Sequence, residues 1–165
     1  MAQSALLEYG KQFLSECKNF RHYFVLANND YTIENIILQL EAHTNINLRD
    51  YKYKIVEKEN TIGFNMQWHL DDIAPIKTKH NLDSDLGGIV IANKYRLYHK
   101  DQLPVYSAVI YLSEHEEDFT GGEFEFLDQQ IIPKKNWILF FDSREVHRVL
   151  PIKNGIRKNI LIKFY

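Results

Sequence analysis

The sequence predicts an α+β fold in which two N-terminal packing helices support a β core of the sandwich or jelly-roll kind. Three observations lead there. Apolar residues recur at helical spacing in two stretches before residue 50, the period shortens to two from Tyr51 onward, and about eight short apolar runs separated by turn-forming clusters follow from there to the end. A chain of 165 residues, 45% hydrophobic and 25% charged, is long enough to bury one sizeable core. A single domain over 1–165 is therefore expected, with 1–50 as helical support and 51–165 as the β core.

The first helix is expected over 4–20, where Leu6, Leu7, Phe13, Leu14 and Cys17 fall near helical spacing and Ser4 can serve as N-cap. Residues 21–27, rich in aromatic and β-branched side chains, read as a strand that ends in the turn-prone Asn28-Asn29-Asp30. A second helix begins near Thr32 with the apolar stripe Ile33, Ile36, Ile37 and Leu40, and His43 near its end. Tyr51, Tyr53 and Ile55, then Ile62, Phe64, Met66 and Trp68, alternate with polar residues, which predicts a hairpin turning at Glu59-Asn60. The stretch 73–93 lacks periodicity, is rich in polar residues and carries Gly87-Gly88. Its length and its place after the motif described next mark it as a candidate substrate lid. Further strands are expected at 95–99, 105–113, 122–127, 137–141, 147–150 and 156–165. They are joined by turns at Thr120-Gly121-Gly122, Pro133-Lys134-Lys135-Asn136 and Lys153-Asn154-Gly155.

The net charge of −2 gives no basic footprint for tight, sequence-independent nucleic-acid binding. The one cysteine, Cys17, cannot close an internal disulfide. Glu8, Lys11, Glu16 and Lys18 break up the N-terminal segment too often for a signal peptide or a membrane span. The expectation is a soluble, intracellular (cytoplasmic) protein with no membrane partner; its oligomeric state leaves no signature.

Chemistry concentrates in Gln67-Trp68-His69-Leu70-Asp71-Asp72. In an extended chain His69 and Asp71 project from one face and Leu70 from the other, so an imidazole and a carboxylate can grip one metal ion. His147 is the third candidate ligand. Two imidazoles and one carboxylate on one side of a metal leave the opposite positions open, the ligand set of non-haem Fe(II) oxygenases. Asp72 would face away from His69. His22, His80, His99 and His115 have no partner at useful spacing, and Arg148 reads as a substrate contact or a solvated residue.

The ordered set Trp68-His69-Leu70-Asp71, Val109-Ile110-Tyr111-Leu112-Ser113, Gly121-Gly122-Glu123-Phe124, Pro133-Lys134-Lys135-Asn136, His147-Arg148-Val149 and Gly155-Ile156-Arg157 resembles the 2-oxoglutarate and Fe(II)-dependent oxygenases of the prolyl 4-hydroxylase type. The match spans roughly the C-terminal two-thirds. It implies a double-stranded β-helix (jelly-roll) core, Fe(II) on His69, Asp71 and His147 as the catalytic centre, and 2-oxoglutarate and dioxygen as co-substrates, with room for ascorbate. It also implies that Arg157, placed on the strand after His147, takes the distal carboxylate of 2-oxoglutarate through a bidentate fork. The Tyr111 hydroxyl would be a second donor, and Phe124 would wall the co-substrate pocket. By the same likeness the substrate is a protein or peptide, a prolyl residue first of all, and the products include succinate and carbon dioxide. Asn136 stands where the family commonly has a turn glycine, and tolerates the same left-handed backbone. Met66, where many relatives carry Tyr, and the patternless 73–93 depart from the family. Two other readings stand beside this one. Arg157, Asn159, Leu161 and Lys163 on one strand face loosely resemble the last strand of AlkB-like nucleic-acid demethylases, with Lys163 in place of the second arginine. A non-catalytic β-roll binding module is the third.

Overall fold

Residues 20–71 and 104–165, with Leu7, Glu8, Gly10, Lys11, Phe13, Leu14 and Cys17, are described by a computed structural model. The expected lid at 73–93 and strand at 95–99 lie outside them. The described residues between Leu7 and Cys17 are helical, as the spacing predicts. Helix α1 (Ile33–Thr44) starts where the Thr32 hydroxyl accepts from the Asn35 N–H at 3.4 Å. It stops at Asn45, whose left-handed backbone (φ 59°) lets its N–H donate to the Glu41 carbonyl.

The strands, in chain order, are β1 (His22–Val25), β2 (Tyr53–Asn60), β3 (Met66–His69), β4 (Tyr106–Tyr111), β5 (Phe119–Gly121), β6 (Phe124–Phe126), β7 (Gln130–Ile131), β8 (Trp137–Asp142), β9 (His147–Val149), β10 (Ile152–Gly155) and β11 (Arg157–Phe164). A larger sheet runs β1-β8-β4-β11-β2, a smaller one β3-β9-β6-β7, and β10 pairs with β5. Strand alternation gives the larger sheet two apolar faces. Ala108, Ile110, Ile138, Phe140, Ile160 and Ile162 pack beneath Ile36 and Leu40 of α1. Val109, Tyr111, Leu139 and Phe141 face Phe124, Phe126, Ile131 and Val149 of the smaller sheet. With both faces covered, β4 and β8 read as continuous apolar runs rather than alternating ones. Two facing antiparallel sheets under helical cover form the expected α+β jelly roll.

The predicted hairpin is not formed. Strand β2 continues through Glu59-Asn60, the chain turns at Ile62-Gly63 instead, and β2 and β3 join different sheets by pairing with β11 and β9. Period-two patterning reports a half-exposed strand and says nothing of its partner. Strands β5, β7 and β10 give no strand pattern in the sequence because they are two to four residues long, and β5 and β10 hold turn-forming residues. Lys153-Asn154-Gly155, expected as a turn, is strand with an irregular register against β5. There Gly155 sits at φ +77°, and a Cβ on it would lie 2.0 Å from the Asp118 carbonyl oxygen. Asn136 adopts the expected left-handed conformation at φ 72°. Among the described residues no helix is long and apolar enough to cross a membrane.

Candidate active site

Strands β3 and β9 pair antiparallel and set His69 directly opposite His147. Their ring centroids are 4.2 Å apart. Each ring is fixed through Nδ1, which lies 2.7 Å from the Gln67 carbonyl in His69 and 2.8 Å from the Glu145 carbonyl in His147. A carbonyl only accepts, so each Nδ1 carries the proton and each Nε2 turns a lone pair inward. Asp71 lies two residues beyond the end of β3, in a turn rather than in the strand, yet it returns to the same side. Leu70 packs away from it, against Val146.

Asp71 Oδ1 stands 3.3 Å from His147 Nε2 and 3.7 Å from His69 Nε2. Its other oxygen accepts from the Ser107 hydroxyl at 2.5 Å, and Ser107 lies 2.8 Å from the Ser143 hydroxyl. The carboxylate is thus oriented, with one oxygen left for the imidazoles. Phe124 stacks on His147 at 5.1 Å and Phe141 meets the same ring edge-on at 5.0 Å, which holds its rotamer.

Burial, joined by the neighbouring His147, pulls the His69 imidazole down to about 4. Burial would raise the Asp71 carboxyl, but its electropositive surroundings, His147 first and Lys163 and His69 after it, outweigh that and hold the group below the usual carboxylate range. Both groups therefore stand in their metal-binding forms at neutral pH. The ligand atoms of His69, Asp71 and His147 all lie within 4.8 Å of one another. Lone pairs so close repel unless a cation lies between them, so the nitrogen and oxygen donors present fit a divalent transition metal.

A cavity that opens to solvent lies beside this triad. It is lined on the smaller-sheet side by His69, Phe124 and His147, and on the larger-sheet side by Asn60, Val109, Arg157, Asn159 and Lys163. Strand β11 sends Arg157, Asn159, Leu161 and Lys163 to this inner face. Arg157 therefore reaches the cavity from the sheet opposite His147, not from a neighbouring strand as the sequence suggested. Its guanidinium donates to Asn60 Oδ1 at 3.1 Å and lies 5.6 Å from the Tyr111 ring centre. Among the described residues, Arg157 Nε, the Tyr111 hydroxyl and Asn159 Oδ1 are all buried without a hydrogen-bond partner. Buried orphans of this kind are costly and rare, and a guanidinium with an unused Nε–H beside an unused hydroxyl suits a bound carboxylate. Burial pushes the Tyr111 hydroxyl up, against the pull of Arg157, so it stays a proton donor.

All six candidate residues named from the sequence thus lie at or beside one cavity. Ser107, Ser143 and Asn60, which orient Asp71 and Arg157, were not found; short polar residues in apolar strands give no signal without the fold. Lys58, also at the cavity, was missed for a different reason, since one lysine on an exposed strand looks solvated. Arg148 is held between Glu125, 2.6 Å away, and the Trp68 ring, 4.4 Å away. His43 stacks on Phe24 at the end of α1.

Residues 53–165 match the family model described as 2OG-Fe(II) oxygenase superfamily. Among curated proteins, the 2-oxoglutarate and iron-dependent oxygenase domain-containing protein 3 of Xenopus tropicalis is 35% identical over 65 residues, a match that covers 36% of this chain and only 20% of that protein. Among solved structures, the viral collagen prolyl hydroxylase of Paramecium Bursaria Chlorella virus-1 in its 2OG complex gives a TM-score of 0.51 at 18% identity, over 95% of this chain and 88% of the other. A Pseudomonas putida prolyl-4-hydroxylase gives 0.51 at 17% identity, over 95% and 79%. At such identities the structural likeness speaks for the fold.

Proposed function

The chain belongs to the 2OG-Fe(II) oxygenase superfamily, and from that premise we propose that it is an Fe(II)- and 2-oxoglutarate-dependent dioxygenase that hydroxylates an unactivated C–H bond of a prolyl residue in a protein. The observation that carries this reading is the meeting, across one cavity, of three converging metal donors and a buried cationic fork with orphaned donors beside it. His69, Asp71 and His147 would hold Fe(II) on one side, and Arg157 with Tyr111 would hold the distal carboxylate of 2-oxoglutarate. When bound, the iron supplies the dioxygen chemistry that couples conversion of 2-oxoglutarate to succinate and carbon dioxide with hydroxylation.

The remaining work is done by this chain's residues. The Gln67 and Glu145 carbonyls hold both imidazoles with Nε2 inward, and Ser107 fixes the carboxylate. Phe124, Phe141 and Val109 keep that end of the cavity apolar, which strengthens every polar contact made inside it. The prolyl substrate is supported by the prolyl hydroxylases among the structural neighbours. In this reading 1–165 works as one oxygenase domain, with 1–50 as its helical support. The test is conversion of 2-oxoglutarate to succinate under air by the Fe(II)-loaded protein, with and without ascorbate, followed by NMR. Proline-containing peptides are searched in parallel for an added oxygen by mass spectrometry. Peptide-stimulated turnover with one oxygen added at proline is expected. Turnover with no oxidised prolyl product across a broad peptide set removes the substrate assignment, and absence of turnover under every condition removes the activity.

A further inference from the structure

The inner wall of the cavity continues along β11 and β2 as a groove lined by Lys54, Val56, Lys58, Leu161, Lys163 and Tyr165. Lys58, Leu161 and Lys163 line the metal-site cavity as well, so the two form one continuous depression. Register orders the wall in rows: Lys163 pairs with Lys54, Leu161 with Val56, Asn159 with Lys58 and Arg157 with Asn60. The groove thus presents the ammonium groups of Lys54 and Lys58 beside an apolar floor of Val56 and Leu161, and among the described residues no Asp or Glu side chain lines it. Alternation sorts the charges of β2 by face, with Lys54 and Lys58 inward and Glu57 and Glu59 on the opposite face. Glu59 there meets Lys158 at 3.5 Å. In a chain of net charge −2, this is a local concentration of positive charge beside the site, not a general one.

We propose that this groove binds an acidic protein segment: residues flanking the oxidised position carry Asp or Glu, whose carboxylates meet Lys54 and Lys58 while an apolar neighbour rests on Val56 and Leu161. The inference rests on the proposed oxygenase reading for what happens at the metal, and on the groove alone for what binds. Lysine suits the task, because a compact ammonium on a flexible stem takes a single carboxylate from many directions. Lys54 and Lys58 are separated by about 13 Å along the strand, the spacing of side chains four residues apart in an extended peptide lying alongside. Among the described residues strand β2 ends its sheet and pairs only with β11, and an edge strand can take an extended segment by main-chain hydrogen bonds.

The test measures binding first and turnover second. Short fluorescein-labelled peptides with a central proline flanked by Glu, Gln or Lys are titrated with the full chain by fluorescence anisotropy, with and without Mn(II) and 2-oxoglutarate. The Glu peptide is expected to bind on the order of tenfold tighter than the Gln peptide, a gap that closes as salt rises, and the Lys peptide is expected to bind weakest. A double charge reversal, Lys54→Glu with Lys58→Glu, should switch preference to the Lys peptide, a gain that a misfolded variant cannot produce. Equal affinity for the three peptides overturns the proposal, as does an oligothymidylate of the same charge binding as tightly as the Glu peptide. Selective binding of the Glu peptide without hydroxylation leaves the groove assignment standing and removes the prolyl one. Hydroxylation indifferent to flanking charge does the reverse.

Discussion

At the scale of single residues, the site depends on where a few protons and charges are held. Asp71 is buried and bonded to Ser107, so truncation to Ala would add a cavity to the loss of a ligand. Asn keeps the shape and an acceptor for Ser107 and removes only the charge. Asp71→Asn should therefore abolish stoichiometric Fe(II) or Mn(II) binding, read by calorimetry, while the metal-free protein still folds at neutral pH with a lowered thermal midpoint, since the stabilisation carried by the charged carboxylate is lost. Equal metal stoichiometry in the variant would count against the triad. Arg157 is buried at 3% exposure, and its value lies in geometry as much as charge. Arg157→Lys keeps the charge and loses the planar fork, so the affinity for 2-oxoglutarate should fall by about 1.5–3 kcal/mol, roughly 10–100-fold, with metal binding retained. Calorimetric titration of 2-oxoglutarate into the Mn(II)-loaded variant checks this. These positions were legible in the sequence because ligand chemistry admits few residue types at few spacings. Ser107 was not, since a serine inside an apolar strand has no distinguishing neighbour until the sheets face each other.

At the scale of elements, the short strands and the turns between them place the ligands. Helix α1 and the longer strands β4, β8 and β11 were readable from periodicity, and the Asn136 turn from its backbone preference. The β2–β3 hairpin was misread because alternation is local while pairing is decided by the far end of the chain, at β9 and β11. Gly155→Ala tests the β10–β5 crossing. The added Cβ meets the Asp118 carbonyl and the backbone sits at φ +77°, so a loss on the order of 1–3 kcal/mol in urea unfolding is expected. The segment before β9 is held by a second device. Arg21, just ahead of β1, grips the Glu145 carboxylate through Nη2 at 2.6 Å and also pairs with Asp128, over the Phe126 ring. Glu145 is the residue whose carbonyl receives the His147 proton. Arg21→Leu would leave a buried carboxylate unpaired, at a cost of about 3–5 kcal/mol, whereas the double variant with Glu145→Leu should recover much of it. A double-mutant cycle in urea reads the coupling, and additive losses would mean that the pair does not act together.

For the molecule as a whole, the jelly roll brings donors from one sheet and a carboxylate receptor from the other to a shared cavity, an arrangement that strand order alone could not reveal. The same arrangement makes the empty triad a liability in acid. The His69 imidazole, at about 4 in the folded chain, lies below its ordinary value of 6.5 through burial and the presence of His147. Between those two values the unfolded chain binds a proton that the folded chain refuses, so stability rises with pH across that window and is lost as pH falls through it. His22, lowered by burial and by His43, adds in the same direction. Asp71 acts further down: its depressed folded value contributes stability that is present above the ordinary carboxylate range and is lost as pH falls below it. Metal steepens the slope, because protons compete for the same lone pairs and a ligand that binds only the folded state stabilises it by mass action. Urea midpoints of the EDTA-treated protein should therefore fall steadily from neutral pH to about pH 4, and Mn(II) should raise them most at the neutral end. His69→Gln should flatten the metal-free slope in that window, leaving the part owed to His22, and should cancel most of the Mn(II) effect. An unchanged slope would show that the imidazole is not held neutral by its surroundings, and the convergence of donors would then need another explanation.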